Sequence, residues 1–167
     1  MGKAIFESPK IPVKASTSEC IDYTLNLEYR DYQINCVSVG NPHCVILKEE
    51  LNQEEVKTFG PQIENNPMFQ NRINVQFAKV ISHNEVEIMI WERGAGWTLA
   101  SGSSACAVAA VMVKRGLTNR NLNIKMQGGQ LKIEIDSHWN IRMTGEVREI
   151  ATGVLSNELI AELIENC

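Results

Sequence analysis

From Gly102 to Val113 the chain reads GSSACAVAAVMV, without one charged side chain. A helix made of these residues is apolar on every side, and such a helix must be buried all round. That constrains the remainder, which has to supply a layer able to wrap it. Ala105, Ala107, Ala109 and Ala110 alternate with Val108, Val111 and Val113, and the small side chains let surrounding strands approach closely. Charge returns only at Lys114 and Arg115. The expectation is a central buried helix over about residues 102–115 with a sheet around it.

The approach to this helix is glycine-rich. Trp91-Glu92-Arg93-Gly94-Ala95-Gly96 reads as a strand end running into a turn, and Ser101 is a good helix N-cap. Gly102, Ser103 and Ser104 would leave the first backbone N–H groups uncovered. Those donors, with the helix dipole, suit a carboxylate or phosphate. Glu92 and Arg93 stand where they could hold the other pole of a zwitterion, so the simplest ligand is an amino acid. A capped, buried helix after a glycine-rich turn also serves as a pure packing device, and both readings stand at this point.

Elsewhere strand patterns dominate. Apolar and polar residues alternate over Tyr23–Glu28 and Tyr32–Val39, and strands are expected at Cys44–Leu47, Ile73–Val80 and Glu85–Trp91. Leu122–Met126 and Leu131–Ile135 flank Gly128-Gly129 as a hairpin, and Ile141–Thr144 and Val147–Val154 read as two more strands. Gly40-Asn41-Pro42-His43 reads as a turn. Asn52 with Glu55 three residues later reads as a capping box for a helix ending between Gly60 and Asn65. Ser156 caps an amphipathic last helix carrying Leu159, Ile160, Leu163 and Ile164. The class is therefore α+β with a mixed or antiparallel sheet, expected as a single domain over residues 1–167.

A net charge of −4 without a basic cluster argues against nucleic acid as a partner. No apolar run approaches the roughly 20 residues that span a bilayer, so no membrane role is expected. Cys20, Cys36, Cys44, Cys106 and Cys167 are an odd set without framework spacing, which favours free thiols and a cytoplasmic location. His43 and Cys44 are neighbours on an expected strand and point to opposite faces, so no metal site is expected.

Three motifs, Gly40-Asn41-Pro42-His43-Cys44-Val45, Ile73-Asn74-Val75-Gln76-Phe77 and Trp91-Glu92-Arg93-Gly94-Ala95-Gly96, occur in one order between Met1-Gly2-Lys3 and Thr144-Gly145. Together they resemble the C-terminal lobe of the diaminopimelate epimerases, amino-acid racemases that work without a cofactor. The resemblance implies two lobes, each a sheet around a central helix, with the active site between them. It implies that Asn41 and Asn74 bind substrate, that Glu92 with Arg93 grips the distal amino-acid end, and that Gly102 and Ser103 receive the α-carboxylate. It places His43 and Glu92 beside the proton-transfer pair and Ser101 at the position of a catalytic cysteine. It further implies an N-terminal lobe absent from this chain, a homodimer, and a role in converting LL- to meso-diaminopimelate for lysine and peptidoglycan precursors.

Three residues depart from the family pattern: Ser101 stands for cysteine, Trp97 for glutamate and Glu146 for proline. The first bears on mechanism. The family uses two thiols on opposite faces of the α-carbon, and a thiol near pKa 8.5 can be tuned towards neutrality at a helix start. A serine hydroxyl has no such ionisation and is a poor base. Ser101 fits a natural homologue with another substrate or one-base chemistry, an engineered replacement, a homologue that binds without racemising, or different chemistry on the scaffold. Cys106, five residues on, reads as a buried core thiol. The isolated lobe is expected to be inactive. A non-catalytic amino-acid-binding module and an isomerase of the phenazine-biosynthesis kind stand as alternatives, and Trp97 suggests a pocket not shaped for diaminopimelate itself.

Overall fold

The computed structural model describes residues 1–165, so Cys167 lies outside the described residues. Its spine is a mixed sheet of strands β1 (Tyr23–Asn26), β2 (Asp31–Ser38), β3 (Pro42–Leu47), β4 (Asn74–Ser82), β5 (Glu85–Glu92), β6 (Gly96–Thr98), β7 (Asn121–Met126), β8 (Gly129–Ile135) and β9 (Ile141–Thr144). The order is β1-β2-β3-β4-β5-β7-β8-β9, with β6 also pairing β5. The β3–β4 and β5–β7 pairs are parallel and the others antiparallel.

Helix α2 (Gly102–Lys114) touches β2, β3, β4, β5, β7, β8 and β9, so the sheet curls around it. Every residue from Ser104 to Met112 is buried, as an uncharged alanine–valine run requires. Helix α1 (Gln53–Glu64) packs on the opposite face, against β4, β5 and β6. The strands between them alternate strictly, as the two-residue period demands. In β3 and β4, Val45 and Ala78 join the core around α2, while Cys44, Ile46, Val75 and Phe77 join the core under α1.

The capping serine and asparagine do as expected. Ser101 Oγ accepts from the Ser104 amide, and Asn52 Oδ1 accepts from the Glu54 and Glu55 amides. Glu55 does not close a capping box; its carboxylate takes Lys48 Nζ at 2.8 Å and the Tyr32 hydroxyl at 2.9 Å instead. Pro42 and His43 lie within β3 rather than in the turn before it.

One expected strand is absent. Residues 147–154 carry no secondary structure, and Val147, Ile150 and Val154 are 97%, 96% and 99% exposed. The alternation is there, but β9 pairs with β8 and no strand among the described residues receives 147–154. Beyond it α3 (Asn157–Glu165), capped by Ser156 Oγ to the Leu159 amide, buries none of its residues. Among the described residues no helix is long and apolar enough to cross a membrane.

Candidate functional site

The two motifs that meet first are the Gly40–His43 turn and the β4 segment. β3 and β4 run parallel with His43 opposite Asn74, so the side chains of both face α2. Asn74, nearly buried, uses its amide as a clasp. Its Nδ2 donates to the Pro42 carbonyl at 2.8 Å, and its Oδ1 accepts from the Arg93 amide at 3.1 Å. A buried amide needs such partners, and here backbone supplies them. The clasp joins the asparagine–proline turn to the β5–β6 turn.

The β5–β6 turn presents Glu92 and Arg93. Gly94 and Gly96 sit at φ 79° and 78°, backbone that only glycine adopts readily, so the chain can reverse within four residues. Glu92 and Arg93 do not pair with each other. Glu92 Oε2 accepts from Thr98 Oγ1 at 3.3 Å, and Arg93 donates to the Asn71 carbonyl at 2.9 Å. Nor does Glu92 bond His43. Trp97 sits opposite Trp91 in the β5–β6 pair, with the Lys57 ammonium 5.6 Å above its ring.

The turn is fixed from beneath by a group that carried no signal in the sequence. Glu64, the last residue of α1, is 5% exposed and receives three donors: Gly94 N–H at 2.9 Å, the Trp91 indole N–H at 2.8 Å and Arg72 at 3.0 Å. Gly60, one turn earlier, makes room for this; a Cβ there would lie 2.6 Å from the Trp91 ring.

The start of α2 has the anatomy of an anion site. Among the described residues no protein acceptor meets the Gly102 and Ser103 amides, while the Ser104 amide is capped. Ser101 Oγ is engaged there, 3.4 Å from both the Ser104 nitrogen and Ser103 Oγ. The side that glycine leaves open at residue 102 is taken by Met143, whose Sδ would lie 3.0 Å from a Cβ. A side chain at residue 102 would have to displace the end of Met143 by a few tenths of an ångström. A cleft of about 710 Å³ opens beside this helix start, between Ser101, Gly102, Met126, Gly128, Lys132 and Glu146. Asn41, His43, Asn74, Glu92 and Arg93 do not line it.

His43 is wholly buried, and desolvation holds its pKa down to about 4, with the field of Arg93 acting in the same direction. Its Nδ1 lies 3.3 Å from Gln76 Oε1 and its Nε2 3.0 Å from Asn41 Oδ1. Gln76 Nε2 continues to Ser104 Oγ at 3.1 Å, in the first turn of α2. From sequence, Gln76 enters only within a motif and Ser104 only as a backbone donor, and neither side chain is given this role. The available signal was a polar residue at an inward position between Val75 and Phe77, and a second serine on the buried side of the helix.

Cys106 is fully buried, and burial pushes its thiol up to about 11, so it offers no base in place of Ser101. Among the described residues no cluster of histidine, cysteine and carboxylate side chains could hold a metal ion.

A family model described as diaminopimelate epimerase matches residues 35–150. The chain is 45% identical to diaminopimelate epimerase 2 of Nostoc sp. over 161 residues, 96% of this chain and 56% of that protein. It is 39% identical to the diaminopimelate epimerase of Halothermothrix orenii, over 92% of this chain and 54% of that one. The chain thus spans little more than half the length of these curated relatives. Among solved structures, a predicted epimerase from Pseudomonas aeruginosa aligns with a TM-score of 0.54 at 20% identity, covering 93% of this chain and 57% of that one. A hydroxyproline epimerase from Agrobacterium vitis aligns with a TM-score of 0.52 at 10% identity, over 74% and 48%. At those identities the likeness is one of fold.

Proposed function

The chain belongs to the diaminopimelate epimerase family, and we propose that it forms one wall of a cofactor-independent amino-acid epimerase site, inert alone. The observation that supports this most is the Asn74 clasp, which ties the Asn41 turn to the Arg93 turn while the Gly102 and Ser103 amides stay unbonded. In this site the two amides take the α-carboxylate, helped by the helix dipole. Asn41, Glu92 and Arg93 contact the amino-acid end remote from it. His43 lies behind Asn41, close to the proton-transfer region. The substrate class is diaminopimelate or a related amino acid, with Trp97 changing the wall where the family has a carboxylate.

Ser101 sets the chemical limit. Its Oγ caps α2 at the place of a cysteine that would take or deliver the α-proton. A hydroxyl is not deprotonated near neutral pH, and among the described residues no imidazole or carboxylate is bonded to it to act as its base. The second wall, with the opposing acid–base group, belongs to the part of the relatives that this chain does not span. The bare apolar side chains Val147, Ile150, Val154 and Leu163 are surface that such a partner lobe would cover.

The test has two stages. Adding LL- or meso-diaminopimelate to the isotope-labelled chain should shift the Gly102 and Ser103 amide resonances. Silent amides at millimolar ligand would overturn the anion-site assignment. Mixed with the complementary half of the Nostoc relative, the chain should exchange no α-hydrogen with deuterated solvent, whereas Ser101→Cys should restore exchange. Binding without exchange in the cysteine variant would favour an amino-acid-binding module over an epimerase wall.

A further inference from the structure

The Arg93 side chain is held by a main-chain carbonyl, and among the described residues no carboxylate pairs with it. Its Nη1 donates to the Asn71 carbonyl at 2.9 Å, and its charge lies near enough to be felt at the His43 ring. A guanidinium is a planar fork of N–H donors that stays charged. One donor spent on a neutral carbonyl fixes the plane of the group and leaves its charge uncompensated. The remaining donors are then free to meet an anion from outside the fold.

The residue that aims this carbonyl is the one after it. Arg72 has φ 56°, left-handed backbone that a residue with a β-carbon adopts only at a cost. That angle sets how the peptide joining Asn71 to Arg72 is turned relative to β4. The peptide is held on both sides: its N–H donates to the Phe69 carbonyl at 3.2 Å, and its oxygen takes Arg93. Its flanks are pinned as well. Phe69 bridges Val13 and the Gln70 amide donates to the Pro12 carbonyl, while β4 begins at Asn74. Backbone strain of this kind persists only where the surroundings over-determine it, and it gathers at sites that meet ligands. The Arg72 guanidinium does rest on Glu64 at 3.0 Å, but that arginine is half-exposed, so the pair contributes little.

We propose that Arg72 is a positioning residue for Arg93: its left-handed backbone turns the Asn71 carbonyl onto the guanidinium and fixes where that cation stands. Asn74 Oδ1 holds the Arg93 amide at 3.1 Å, so one tetrapeptide, residues 71–74, grips both the main chain and the side chain of Arg93. The conformation of Arg72 acts here, not its charge. That the cation meets a ligand rests on the site assignment proposed above. That this peptide holds it is read on the chain without any substrate.

The experiment is nitrogen relaxation of the arginine Nε–H groups in the labelled chain at mildly acidic pH, with Arg93 identified by its loss in Arg93→Lys. In the unchanged chain its order parameter should lie close to the rigid limit of about 0.85. Arg72→Val places a β-branched residue where φ is positive and should drop Arg93 below about 0.6. Arg72→Ala, the gentler change, should drop it part of the way. Arg72→Gly adopts the same backbone without steric cost and should keep Arg93 rigid although the contact with Glu64 is gone. A mobile Arg93 in the unchanged chain would overturn the proposal. So would an Arg93 unmoved in Arg72→Val and Arg72→Ala alike, or one as loose in Arg72→Gly as in Arg72→Val. A merely structural role would lower stability in urea and leave Arg93 rigid throughout. Silent Gly102 and Ser103 amides, or failed α-hydrogen exchange in the reconstituted enzyme, touch the epimerase assignment and leave this measurement standing.

Discussion

Two polar side chains are buried against opposite faces of one sheet, and they are handled in opposite ways. Glu64, under α1, collects a guanidinium, an indole N–H and a backbone amide. His43, under α2, collects only side-chain amides, and its ring stays neutral. A carboxylate ringed by donors can remain in the interior because its lone pairs are satisfied. An imidazole among neutral amides keeps its place by giving up its charge. The first arrangement makes a rigid peg for the Glu92–Arg93 turn. The second leaves a neutral ring as the hydrogen-bonding partner of Asn41. What separates them is the number of donors each can reach.

The largest test of that contrast is Glu64→Ala. It leaves the Trp91 indole and the Gly94 amide without their acceptor, each a loss of about 1–3 kcal/mol when buried. Arg72 adds little, being about half exposed. A loss of roughly 4 kcal/mol in urea unfolding is expected; a loss under about 1 kcal/mol would mean that solvent replaces the carboxylate and no peg exists.

The second test is pH. The His43 ring has a folded pKa of about 4, below the usual unfolded value near 6.5. Between those values the unfolded chain binds more protons, so stability rises with pH. The contribution is full above about pH 6.5 and is lost as pH falls towards 4, on the order of 3 kcal/mol in total. His43→Gln should flatten that window in urea unfolding at pH 7 and 5. An unchanged slope would show a ring already charged, and the contrast with Glu64 would collapse.

The smallest expected effect belongs to Gly60→Ala. Its Cβ would meet the Trp91 side chain at 2.6–2.9 Å, so the indole must shift from Glu64. A loss of about 2 kcal/mol is expected, with a changed Trp91 indole resonance. An unmoved indole would place the anchor in Arg72 and Gly94 rather than in the ring.

Legibility followed the physics of each element. The burial of α2 was plain because an uncharged alanine–valine helix has no other stable place, and the two caps were plain because Ser101 and Asn52 act locally. The wrapping of the sheet followed from the small side chains of α2, whereas the parallel pairing that sets His43 opposite Asn74 along β3 and β4 was not legible. Glu64 was not legible. A glutamate ending an amphipathic helix ordinarily faces water, and only the tertiary approach of Trp91, Gly94 and Arg72 gives it a buried role. Val147–Val154 failed for the converse reason. Alternation states which faces a strand would need, but not that a neighbouring strand is there to pair with it.

The sheet order has one more consequence. β2, β3 and β4 precede α2 in the chain, whereas β7, β8 and β9 follow it, and all of them contribute to its cover. During synthesis the greasiest segment therefore leaves the ribosome with half its shelter still untranslated. It can be enclosed only when the final hairpin arrives, which makes that helix the point where a nascent chain is most open to aggregation and to chaperone capture.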